Sequence, residues 1–410
     1  MTTTPAQVSE LRVDRLSAAP APLALPLATS TWDHREYAAL QEVIASGQFT
    51  MGAHVHAFEH AFAEQFGAAH AVMVNSGSSA NLLMVAAAVL DDRIDLNPGD
   101  EVLVTAVSWA TTYYPLAQYG LRPVLVDVDP LTLNIDLDAA RERCGPRTKG
   151  LMAVNLLGNP NRFDDLQQLA DDCGLVVLED NCESMGATFD DRSAGTFGLM
   201  GTFSTFFSHH ISTMEGGVIV TDDDHLRDML LSLRSHGWTR NLPADSALRS
   251  AGVHGFHDLF HFVLPGYNVR PLEMSGAVGL HQLEKLPTMV AIRRANADAF
   301  RDAMSSVPGV RLQQEVGESS WFGFSCVLEG HLAGRRDEVV AALAAAGVQT
   351  RPVVAGNFAR NPVMRHLNAD VSAPLPNADQ VHVDGFYLGN HHYALDGALL
   401  EVADVLGGLR

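Results

Sequence analysis

Between His70 and Asp222 the chain repeats one pattern: a short apolar run, a polar turn, then a stretch whose apolar residues recur at helical spacing. Strand-like runs fall at 70–75, 101–108, 123–129, 150–158, 175–181, 201–207 and 217–222. Helical patterns at 78–90, 110–119, 136–143 and 162–173 separate the first five. Near-continuous apolar strands alternating with helices predict an α/β fold, a seven-stranded, mostly parallel sheet covered on both faces. Only the short turn Ser208–Gly217 joins the last two strands, so that pair is predicted antiparallel. Two helical patterns, 33–46 and 55–66, precede the repeat. A helix to 236 and an irregular stretch, 237–268, follow it. A helix at 272–286 comes next, and Pro287 is expected to interrupt it. From about 290 a second unit reads as a helix, strands near 310–314 and 323–328, a helix at 336–346 and a C-terminal helix. This divides the chain into a tail (1–30), a large domain (31–285) and a small α+β domain (286–410).

The bulk properties exclude several classes of function. A net charge of −21 argues against nucleic acid and anionic membrane as partners. Residues 1–30, rich in Ala, Pro and Thr, lack the basic and apolar regions of a signal peptide. No apolar run is long enough to span a bilayer. The spacings of Cys144, Cys173, Cys182 and Cys326 match no zinc or redox motif, and these read as buried structural thiols in a cytoplasmic protein. His254, His257 and His261 are spaced for one helical face, but read as loop histidines near a site mouth rather than a metal site.

In such sheets ligands gather at the carboxyl ends of the strands. The first strand ends in NSGSSANLL, where Gly77 and Ser78 open a helix, a ready phosphate site that also fits a simple serine cap. The second ends in Ser108-Trp109, a flat aromatic after a polar residue. The fifth ends in EDNCES with Asp180 at its tip, and the sixth carries Ser204 before the turn SHHISTMEGG with His209 and His210. A phosphate cradle, a flat aromatic, a carboxylate to keep a pyridine nitrogen protonated and a basic residue to move protons are the parts of a pyridoxal phosphate site.

These motifs resemble the sugar aminotransferase (DegT/DnrJ/EryC1/StrS) superfamily of fold-type I pyridoxal phosphate enzymes. The resemblance runs from about residue 31 to the end. Where that family has its Schiff-base lysine, this chain has His209. Only two of its 27 basic residues are lysines, Lys149 and Lys285, both distant in sequence from the turn. An imidazole cannot make the covalent link to the cofactor aldehyde that an amine makes. That substitution, with HGWTRN (236–241), LPGYNVRPLEMSGA (264–277), ESSWFGFS (318–325) and RPVVAGNF (351–358), is similar to the family branch that removes the C3 hydroxyl of nucleotide-linked 4-keto-6-deoxyhexoses.

The resemblance implies that Asp180 pairs with the pyridine nitrogen, Trp109 stacks on the ring, and Gly77, Ser78 and Ser204 hold the phosphate. Glu183 takes the position that is Gln in the aminotransferases, and Asn268 reaches the phosphate across a homodimer with shared active sites. His209 is the base. Ser208, His236, Arg240 and Arg351 are substrate contacts. L-glutamate is expected to convert pyridoxal phosphate to pyridoxamine phosphate before the sugar binds, with GDP-4-keto-6-deoxy-D-mannose the foremost substrate. An aminotransferase with an unusual base and a non-catalytic sugar-nucleotide binder are the competing readings. An iron–sulfur-dependent relative is set aside, because these four cysteines provide no cluster.

Overall fold

The computed structural model describes residues 25–249, 256 and 260–409. Its central sheet has seven strands. These are β1 (His70–Val74), β2 (Glu101–Thr105), β3 (Arg122–Val126), β4 (Thr148–Val154), β5 (Val176–Asp180), β8 (Met200–Ser204) and β9 (Gly217–Thr221). A small hairpin, β6 (Thr188–Phe189) and β7 (Arg192–Ser193), stands apart from it. The order across the sheet is β1-β9-β8-β5-β4-β2-β3. Only β9 runs against the others, pairing antiparallel with β1 and β8, as the short turn before it predicts.

Helices α1 (His34–Ser46) and α2 (Ala53–Phe66) precede the sheet, and α3 (Gly77–Leu90), α4 (Ala110–Gln118), α5 (Leu137–Glu142), α6 (Phe163–Cys173) and α7 (Asp224–Leu233) cover it. The apolar spacing explains their faces. α6 buries Phe163, Leu166, Leu169 and Ala170 and turns its acidic residues outward. α3 is apolar nearly all round and is buried nearly all round, between the sheet and its neighbouring helices. Phe62, Phe66 and Phe203 pack ring to ring between α2 and the sheet, with centroids 4.5–5.1 Å apart. Truncating any of these three to alanine is the kind of change that costs about 3–5 kcal/mol.

The predicted break at Pro287 does not occur. α8 runs unbroken from Glu273 to Met304. Proline removes one hydrogen bond, but Leu283, Leu286, Met289 and Val290 on either side are held in the core against α2 and β1. Further along, Ala297, Phe300 and Met304 enter a second core. One helix therefore links the two packing units, and residues 285 and 286 lie within it.

The second unit has the antiparallel sheet β10-β11-β13-β12, from β10 (Val310–Leu312), β11 (Gly323–Leu328), β12 (Thr350–Arg351) and β13 (Gly385–Gly389). It packs with α9 (Arg336–Ala345), α10 (Pro376–Asp384) and α11 (Asp396–Gly408). Leu25, read above as part of a loose tail, is fully buried in this core and bridges to Val348. Strand ends also fall short of the apolar runs: β2 stops at Thr105, before Ser108 and Trp109 at the cavity, and β4 stops at Val154, before a buried single turn at Leu156–Gly158.

Candidate active site

The carboxyl ends of β1, β2, β5 and β8 converge on a cavity of about 330 Å³. Gly77, Ser78, Trp109, Asp180, Glu183, Ser204, Ser208, His209 and Arg351 all line it. A larger depression of about 680 Å³ around α5 and α6 is lined by exposed carboxylates and amides and gathers none of these residues.

At one end of the cavity lies the start of α3. Ser76 caps it, its hydroxyl accepting the Ser79 amide at 3.1 Å and its carbonyl the Ala80 amide, and the Gly77 and Ser78 amides are left to meet a ligand. Gly77 is glycine for want of room: a Cβ there would stand 2.7 Å from Ser204 Cβ and 3.0 Å from Cys182 Sγ. Gly217 supports this corner, since a side chain on it would strike the Ser76 carbonyl. We expect Gly77→Ala to fold but to bind phosphate-bearing cofactor at least about tenfold more weakly, because an added methyl in a packed corner costs ~1–3 kcal/mol. An absorbance titration with pyridoxal phosphate checks this, and unchanged affinity would show that the corner holds no phosphate.

Asp180 lies at the cavity floor, almost fully buried. It accepts hydrogen bonds from Asn81 Nδ2 at 2.8 Å, Thr112 Oγ1 at 2.7 Å and the Cys182 amide at 3.2 Å. Asn81 is aligned in turn by Thr202, and Thr112 by Ser108. A carboxylate held by three donors stays in one orientation. Trp109, the N-cap of α4, is 57% exposed at the mouth, an unusual setting for so large an apolar ring. Glu183 is half-buried and accepts the Leu157 amide at 3.1 Å. Burial, opposed by that hydrogen bond and reinforced by the charge of Asp180, pushes its carboxyl up to about 7.

His209 sits in the turn between β8 and β9, its ring edge-on to Phe322 at 5.1 Å and to Phe206 at 6.0 Å. Its Nδ1 is enclosed without a partner, which leaves Nε2 as the nitrogen open to the cavity. Burial, helped by the charge of Arg293, lowers its pKa to about 4, so the ring is a neutral proton acceptor at neutral pH. His210, read as a turn residue, is instead fully buried, with Nε2 at 3.1 Å from the Ser320 carbonyl. Neither lysine enters the cavity. Lys149 pairs with Asp95 at 2.8 Å and Lys285 with Glu36 at 2.6 Å.

Three expected residues do not line the cavity of this chain. Asn268 is exposed and takes a hydrogen bond from Arg270. His236 donates its amide to the Tyr267 carbonyl, and Arg240 lies over the Trp238 ring. Ser235 bridges to Asn268, so the three occupy one patch. His254 and His257 lie outside the described residues. Several lining residues went unread: Asn81 and Cys182, and Phe322, Val354 and Tyr387 from the second unit. Cys182, expected as a buried structural thiol, borders the cavity. Asn81, within the quoted NSGSSANLL motif, had a signal: a polar residue on the buried side of an apolar helix.

The cavity fits a phosphorylated pyridine: a tight glycine corner at a helix start, a flat ring at the mouth and a fixed carboxylate at the floor. Comparison with known proteins agrees. The profile of the DegT/DnrJ/EryC1/StrS aminotransferase family matches residues 30–406. The chain is 51% identical to the GDP-4-keto-6-deoxy-D-mannose 3-dehydratase of Escherichia coli O55:H7 over 93% of its length and 99% of that protein's. It is 49% identical to the protein of the same name from Yersinia pseudotuberculosis, over 93% and 98%. A solved GDP-4-keto-6-deoxymannose-3-dehydratase with a trapped PLP-glutamate geminal diamine superposes with a TM-score of 0.90 at 50% identity, covering 93% of this chain and all of that one. With a family profile spanning nearly its whole length behind it, this fold-type I chain belongs to the DegT/DnrJ/EryC1/StrS aminotransferase family.

Proposed function

We propose that the protein is a pyridoxal phosphate-dependent dehydratase that removes the C3 hydroxyl of a nucleotide-linked 4-keto-6-deoxyhexose. GDP-4-keto-6-deoxy-D-mannose is the substrate and L-glutamate the amine donor. The observation that carries this reading is His209 at the cavity with both lysines tied to carboxylates elsewhere. Relatives named for this activity cover nearly the whole chain, and one is described with bound GDP-perosamine.

The bound cofactor would supply the electron sink that lets the C3 hydroxyl leave. Asp180 would hold the proton on its pyridine nitrogen, and Trp109 would cover its ring. The Gly77 and Ser78 amides and the Ser204 hydroxyl would bind its phosphate. His209 Nε2, neutral at pH 7, would take a proton from the cofactor C4′ carbon and deliver one to the C3 hydroxyl as it leaves as water. Without a lysine, nothing in the cavity recaptures the cofactor covalently. Glu183, pushed up to about 7, stands ready at neutrality as either acid or carboxylate. Ser208 and Arg351 at the cavity wall are the sugar and diphosphate contacts from the same chain.

Asn268, His236 and Arg240 act on a neighbouring copy, in a cytoplasmic homodimer with shared sites. Support comes from the surface around them. Phe49, Phe207 and Leu272 are each about half exposed, and the backbones of Phe49 and Glu273 are bonded together there. Apolar exposure of this kind marks an association surface. Among the described residues no helix is long and apolar enough to cross a membrane.

The test is incubation with GDP- and dTDP-4-keto-6-deoxyhexoses plus glutamate, read by mass spectrometry. Loss of water with release of ammonia supports the dehydratase. An amino sugar in its place would establish aminotransferase chemistry instead.

A further inference from the structure

Arg293 lies in the middle of α8, between the part of the helix that packs in the large unit and the part that enters the second core. It is 4% exposed, and among the described residues no carboxylate pairs with it. Its Nη1 donates instead to three carbonyls, those of Asn390 at 2.7 Å, Phe322 at 3.2 Å and Trp321 at 3.4 Å. Its Nε has no partner at all. A buried charge without a counter-ion is costly and seldom kept for stability alone.

What Arg293 holds is the wall behind His209. Phe322, whose carbonyl it binds, stands against the His209 ring at 5.1 Å and the His210 ring at 5.7 Å. The Ser320 carbonyl, two residues earlier, takes His210 Nε2. The cavity in front of His209 holds Asp180, Glu183, Glu215, Arg351 and Tyr387. Behind it are His210 and Arg293, and Arg293 is the charge that bears on the His209 ring, second to burial itself. The same charge bears on His210 as well.

We infer that Arg293 is a positioning residue for the base: it clamps the 321–322 segment, whose Phe322 ring stands against the His209 ring, and leaves an unpaired positive charge buried in the same wall. The inference rests on His209 being the base, as proposed above. The Arg293 charge adds to burial, the larger cause, in keeping the His209 ring neutral. A cation behind it opposes protonation, as a second like charge does in any low-dielectric site.

The experiment is a histidine ring titration by NMR on the apoprotein, with the His209 signal assigned by its loss in His209→Asn. No substrate or cofactor enters the titration, so the midpoint readout does not depend on the dehydratase reading. Arg293→Met, which keeps bulk and removes charge, is expected to raise the His209 midpoint by roughly half to one pH unit. Arg293→Lys, which keeps the charge but on a shorter side chain whose ammonium cannot take the place of Nη1 among the three carbonyls, is expected to leave the midpoint in place. In the turnover assay the lysine variant should lose about tenfold in kcat with KM unchanged, the mark of a misplaced base rather than lost binding. An unchanged midpoint in the methionine variant overturns the inference. Should that variant fail to fold, the lysine variant decides alone: wild-type kcat, or a shifted midpoint, overturns it.

Discussion

His209→Asn should retain pyridoxal phosphate and lose almost all dehydration. The residues proposed for the phosphate, the ring and the pyridine nitrogen are others, at the ends of β1, β2, β5 and β8. Asparagine leaves them untouched and is close in size to the imidazole stem, so cofactor titration should give near wild-type affinity. Turnover should fall ~10²–10⁴-fold, the usual worth of a positioned acid–base group. The pH profile gives a second reading. Burial and Arg293 lower the His209 pKa to about 4, so the active base form persists as pH falls and is lost only near that value. The acid limb of kcat/KM in the free enzyme should therefore lie well below 6.5, the ordinary histidine value. A limb at 6.5 would place the base in a wetter setting than this cavity.

His210 cannot serve as the silent control that adjacency in sequence suggests. Alternation of side chains holds in an extended strand, but this segment is a turn in which the His209 amide bonds back to the Phe206 carbonyl. The His210 ring is driven inward, away from the cavity, onto Ser320. His210→Asn should thus lower stability by about 1–3 kcal/mol through the orphaned carbonyl and lost packing. Thermal melts separate that loss from the catalytic defect of His209→Asn.

The large sheet was legible because its strands are buried on both faces and helices separate the first five of them, so the two periodicities alternate cleanly; among the parallel connections only that from β5 to β8, made by the β6–β7 hairpin, lacks a helix. The site followed from that, since strand tips in such a sheet point to one edge. What stayed hidden depends on contacts distant in sequence. Phe322 and Tyr387 reach the cavity only because β11 and β13 pair in the second sheet and α8 carries that sheet to the strand tips. Arg351 was found through the family resemblance, and its register opposite Tyr387 explains its place. Pro287 misled because a local rule about one hydrogen bond was outweighed by two cores pulling on the same helix. Leu25 misled for a related reason: a single apolar residue in a weakly patterned stretch gives no periodicity to read, yet its burial and the hydrogen bonds of residues 25–27 to Gly347, Gln349 and His391 anchor the segment.

Asp180→Asn is the second substitution with a large expected effect, and it tests the floor of the cavity rather than its base. The wild-type carboxylate accepts from Asn81 and Thr112 on one oxygen and from the Cys182 amide on the other. An asparagine keeps the shape but removes the charge, and at least one donor, its own amide, is then turned toward other donors or the pyridine nitrogen. A neutral partner cannot hold a proton on that nitrogen. Turnover should fall on the order of 10²–10³-fold, the scale measured when one fixed electrostatic partner is removed. Affinity for pyridoxal phosphate should weaken by about 10- to 100-fold, the worth of a hydrogen bond to a charged group. Thr112→Val is the graded comparison. It removes one of three donors and leaves the charge, so its loss should be several-fold only, with the cofactor still bound. Equal losses in the two variants would mean that the network's shape matters and the charge does not, and the pyridine nitrogen would then have to be sought elsewhere in the cavity.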